Sequence, residues 1–70
     1  MEQAQIDHWF MYHPPTDDQK AAYELLRLAA HTFASAVLRY TPPSADQTAA
    51  IRKIREAVMT ANAAIACGGM

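Results

Sequence analysis

The sequence lacks most of the residues that staple, bend or activate a small protein. It has one cysteine, Cys67, so an internal disulfide framework is impossible, and a lone thiol fits a reducing compartment. Its glycines, Gly68 and Gly69, stand side by side near the C-terminus, which leaves no glycine-rich loop to cradle a phosphate. No basic segment followed by an apolar run opens the chain, and no stretch approaches the ~20 apolar residues of a membrane span, so neither a secretory leader nor a membrane anchor is expected. Basic excess is missing too. A formal net charge of −1 argues against binding to DNA or RNA polymers, yet leaves room for a local basic pocket that takes a small phosphate ligand.

Catalytic constellations are also missing. His8 and His13 are five positions apart, His31 falls on a different segment, and Cys67 has no partner at a ligand spacing, so no metal site and no cofactor are expected. Ser35 and Ser44 have no histidine at a telling distance. The paired carboxylates Asp17-Asp18 sit at a helix start, where the helix dipole explains them. The expectation is a protein that is not an enzyme.

What remains is apolar and helical. Of the 70 residues 51% are hydrophobic, with alanine dominant, so a core must come from close helix–helix approach and the chain is marginal alone. Residues 2–11 read as a short helix, with Ile6, Trp9 and Phe10 on one stripe, ended by Tyr12-His13-Pro14-Pro15. A segment that short must dock on something to stay helical. Thr16-Asp17-Asp18-Gln19 is a capping-box pattern that opens a helix over 17–40. Its apolar stripe is Ala22, Leu26, Ala29, Phe33, Val37 and Tyr40, and Thr41-Pro42-Pro43 stops it. Ser44-Ala45-Asp46-Gln47 reads as a second capping box and opens a helix over 45–67, striped by Ile51, Ile54, Val58, Ala61 and Ile65 and stopped by Gly68-Gly69. Two helices of roughly 35 Å joined by a short link make an antiparallel hairpin. The fold class is all-α, a single domain over 1–70 with a short N-terminal helix and a long two-helix hairpin, supplemented by oligomerisation.

One binding constellation stands out. Tyr12 sits at a chain break beside His13 and Pro14, and Arg27 lies three turns into the next helix. An aromatic ring stacks on a nucleobase and a guanidinium grips a phosphate through two parallel hydrogen bonds. The plainer reading has Tyr12 stapling the first helix and Arg27 on a solvated face near Glu24. Trp9 and Phe10 divide in the same way between packing and stacking. Arg52 and Arg55 belong either to a solvated face, with Arg52–Glu56 as an i,i+4 pair, or to a basic surface. His31 reads as a surface histidine. Asn62, a polar amide among alanines, wants a buried partner.

An ordered set of segments narrows these alternatives. Phe10-Met11-Tyr12-His13-Pro14-Pro15, Gln19, Tyr23 to Ala30, Phe33-Ala34, Thr41-Pro42-Pro43, Ala50 to Met59 and Ala61 to Ala66 resemble a family of small phage proteins, the anti-CBASS cyclic-oligonucleotide sponges. (CBASS is a bacterial defence that signals with cyclic oligonucleotides.) The resemblance implies a helical hairpin assembled as a homohexamer in the host bacterial cytoplasm. It implies binding of cyclic dinucleotides such as 3′,3′-cyclic GMP-AMP and, in many members, of cyclic trinucleotides at a separate site near a symmetry axis. The signal would be held intact and kept from its effector. Within the Tyr-His-Pro element Tyr12 would stack on a base, with His13 and Pro14 beside it, and Arg27 would hold a phosphate. Phe10, Arg52, Arg55 and Asn62 are further candidates for ligand contact. The rival function is a hairpin module that binds a host protein through its aromatic N-terminus.

Overall fold

The computed structural model describes residues 1–70 and contains three helices and no strands: α1 (Gln3–Trp9), α2 (Asp17–Tyr40) and α3 (Ala45–Ala66). None is long and apolar enough to cross a membrane. The Thr16 hydroxyl accepts the Gln19 amide N–H at 3.1 Å, and the Gln19 side-chain oxygen accepts the Thr16 N–H at 2.9 Å, which completes the capping box at the start of α2. Asp17 and Asp18 occupy the first turn, where the dipole favours anions. At the far end of α3 the Gly69 N–H donates to the Ala64 carbonyl and the Gly68 N–H to that of Ile65. With φ of 62° and 80°, these glycines form a Schellman motif whose backbone resists side-chain-bearing residues.

Three sequence expectations change. The short helix ends at Trp9 instead of Met11, with Phe10 as cap at φ −100° and ψ 6°. Its N-cap, Glu2, makes no side-chain hydrogen bond, and the Pro14-Pro15 break pulls the preceding residues out of the helical track. The second capping box is half-formed. Ser44 accepts the Gln47 N–H at 3.1 Å, but the Gln47 side-chain amide donates to the Leu38 and Thr41 carbonyls at 3.2 and 3.1 Å. These carbonyls lie at the C-terminal end of α2, where helical acceptors lack partners, and satisfying them outweighs the local cap. The seam of α2 is also rotated. Ala22, Tyr23, Leu26, Ala30, Ala34 and Val37 are half-buried, whereas Ala29, Phe33 and Tyr40 are exposed. Alanines at the contact let the two backbones close, and Phe33 and Tyr40 turn outward.

On α3 the stripe of Ile51, Ile54, Val58, Ala61 and Ile65 is half-buried throughout and meets that seam. The helices run antiparallel. Gln19 at the start of α2 reaches the Ile65 carbonyl near the end of α3, and Gln47 near the start of α3 reaches the end of α2. No Cα of α1 lies within 8 Å of one in either long helix. Side-chain hydrogen bonds attach α1 instead. His8 Nε2 donates to the Cys67 carbonyl at 2.9 Å, and Trp9 Nε1 donates to Met70 O at 2.9 Å. The molecule measures 45 × 29 × 14 Å, and its smallest dimension is near that of one helix with side chains. A single layer closes no core. No hydrophobic residue is buried, and Gln47 alone is.

Candidate functional site

Two positions on α2 and two on α3 are set by helical spacing beside the seam. Arg27 and His31 follow each other at i,i+4, as do Arg55 and Met59, so each pair projects from one wall of the hairpin. Between the walls lies a groove of about 310 Å³, floored by Ala30, Ala34, Ile51, Ile54 and Val58. The alanines make room there, and the β-branched side chains of α3 supply an apolar floor.

The rim is cationic and unneutralised. The structure has one ion pair, Lys20–Asp17 at 4.0 Å, on the exposed surface of the first turn of α2. Neither Arg27–Glu24 nor Arg52–Glu56 forms, although both spacings allow a pair. The guanidinium groups of Arg27 and Arg55 therefore keep their donors for an outside acceptor, and their planar forks match phosphate oxygens. Above an apolar floor such groups are chemically suited to an anion that also carries flat, weakly polar surface.

The other sequence-derived residues lie elsewhere. Tyr12 stands on the linker between α1 and α2, 81% exposed, and does not line the groove. His13 is half-buried. Its Nε2–H donates to the His8 carbonyl at 2.6 Å, and its ring meets His8 edge-on with centroids 4.7 Å apart. Pro14 is exposed beside it. Phe10 lines a separate pocket of about 430 Å³ with Trp9, Ala63, Cys67 and Met70. Arg52 is exposed and outside both pockets. Asn62 is half-buried, and its Oδ1 is shut away from solvent without a hydrogen-bond partner. The structure thus unites Arg27 with Arg55, and it keeps Tyr12 apart from both within one chain. His31 is the groove residue that sequence reasoning set aside. Its i,i+4 relation to Arg27 was the available signal.

Three helices, an alanine-lined seam and a cation-rimmed groove define a small all-α hairpin protein. The family model described as "Acb2/Tad1, hairpin domain" matches residues 2–66, and the chain belongs to that family, the anti-CBASS cyclic-oligonucleotide sponges. It is accordingly an anti-defence hairpin protein, of a family whose members bind rather than catalyse. Neither a curated protein nor a solved structure matched the chain.

Proposed function

We propose that this protein captures cyclic oligonucleotide second messengers and holds them intact, so that the CBASS effector is not switched on. Its ligands are cyclic dinucleotides such as 3′,3′-cyclic GMP-AMP, with cyclic trinucleotides taken at a separate site. One observation carries the reading: two guanidinium groups without carboxylate partners, Arg27 and Arg55, face a shared groove with an apolar floor. A cyclic dinucleotide offers two phosphates on one ring and two flat bases, which suits cations on both walls. Tyr12 completes the pocket from a second copy of the chain by stacking on a base. The absence of any buried hydrophobic residue in one chain supports assembly, with a homohexamer as the form proposed. Asn62, whose side-chain oxygen is shut away without a partner, would need a small rotation of its amide to meet a neighbouring copy or the larger ligand.

Calorimetric titration with 3′,3′-cyclic GMP-AMP tests this, followed by denaturation and chromatography of the released nucleotide. The expected result is tight binding and full recovery of intact ligand. Replacing Arg27 or Arg55 by Ala weakens binding by about 10- to 100-fold, the scale of a lost charge-assisted hydrogen bond. Replacing Tyr12 by Ala costs about tenfold or more through lost stacking. Unchanged affinity in all three variants removes this pocket, and degraded nucleotide removes sequestration. Native mass spectrometry counts the copies.

The host-protein reading has one observation in its favour. Phe10, Met11 and Tyr12 form an exposed apolar tip, at 83%, 60% and 81% exposure. A stoichiometric host protein that stays on the nucleotide-free chain and is lost on Phe10→Ser establishes it.

A further inference from the structure

Folding brings together three metal-ligating side chains that are scattered in sequence. A ring nitrogen of His8, a ring nitrogen of His13 and the Cys67 sulfur lie within 4.8 Å of one another, all three residues half-buried. They come from three segments: α1, the linker after it, and the residue that caps α3. Cys67 shows no ligand spacing in the sequence because 59 residues separate it from His8.

The hydrogen bonds already present set the tautomers. His8 Nε2 lies 2.9 Å from the Cys67 carbonyl, and His13 Nε2 lies 2.6 Å from the His8 carbonyl. A carbonyl only accepts, so each Nε2 carries the proton and each neutral ring keeps its lone pair on Nδ1. Histidines that bind metals commonly donate their other N–H to a backbone carbonyl in this way, which fixes the ring and raises its basicity. These bonds fix both rings near the Cys67 thiol, and each ring has one nitrogen without a proton to offer a metal.

We infer that His8, His13 and Cys67 form a site for a thiophilic transition ion of the zinc class. A donor set of two imidazoles and one sulfur selects zinc-like ions, whereas magnesium and calcium prefer oxygen donors. Zinc holds nitrogen at about 2.0–2.1 Å and sulfur at about 2.3 Å, so the cluster contracts by about 1 Å on binding. Rotation of the Cys67 side chain and a small shift of α1 supply that movement, since no Cα of α1 comes within 8 Å of either long helix. Cys67 binds as the thiolate and its proton passes to solvent, and a water fills the fourth position. The bound ion clips α1 and its aromatic linker to the open end of the hairpin.

Cobalt(II) titration of tag-free protein, kept reduced with a phosphine, tests the site. The expected result is one ion per chain, with tetrahedral d–d bands and a near-ultraviolet thiolate-to-cobalt charge-transfer band, all displaced by zinc. Cys67→Ser, which exchanges sulfur for oxygen, abolishes the charge-transfer band and weakens binding by at least about tenfold. His8→Gln weakens it to a similar degree, and circular dichroism first establishes that both variants keep their helices. Zinc raises the Tm of the wild type by about 5–10 °C and leaves that of Cys67→Ser unchanged. The inference is overturned by a missing charge-transfer band, by a stoichiometry indifferent to both substitutions, or by equal binding of calcium.

Discussion

The two ends of the hairpin use the same device with different security. At each end a side-chain N–H reaches a backbone carbonyl. At the turn, Gln47 donates to Leu38 and Thr41, nine and six residues away, and the side chain is buried. Thr41 and Ser44 add hydroxyl bonds to Val37 and Pro42 at 2.6 and 3.0 Å. At the open end, His8, Trp9 and Gln19 donate to Cys67, Met70 and Ile65 across 59, 61 and 46 residues, on half-buried or exposed ground. Water competes for exposed bonds, and long loops cost more entropy to close. The turn is therefore self-sufficient, while the open end is the place where a ligand, an ion or a second copy has most to add.

Substitutions at the two ends break or sharpen that contrast. Gln47→Ala strips the donor from two carbonyls at the buried turn and should cost about 2 kcal/mol, lowering Tm by about 10 °C in a thermal melt. Gln19→Ala removes half of a capping box and the Ile65 tie, and should cost about 1 kcal/mol by denaturant titration. Trp9→Phe keeps one aromatic ring but loses the bond to Met70 O and the pyrrole part of the indole, a change of about 1 kcal/mol or less in the same measurement. A Trp9→Phe cost equal to that of Gln47→Ala would make the two ends equivalent and end the comparison.

The hairpin itself was legible, because its signals are local. Thr16 with Gln19, Pro42-Pro43 and Gly68-Gly69 punctuate the chain within a few residues of where they act. The α3 stripe was legible because one face of a helix is read by period alone. The α2 seam was not, since Ala29 and Ala30 have the same composition and only the partner helix chooses between them. Gln47 looked like a cap because its two carbonyl acceptors belong to the preceding helix. In the groove, Arg27 was a candidate through its pairing with Tyr12 and Arg55 through the family resemblance, while the placing of the two on facing walls depends on the packing of α2 against α3. The meeting of His8, His13 and Cys67 has no local signature, and Tyr12 has no assigned neighbour within the chain.

Gln19 acts as a gauge. One end of its amide fixes where α2 begins and the other touches the last turn of α3. The distance from Thr16 to the turn is thereby matched to the distance from the turn to Ile65. Adding one residue to either helix would rotate that helix by about 100° and carry its end past the mark, so the groove walls would no longer face each other. Length changes in this protein should therefore be resisted everywhere between Gln19 and Ile65.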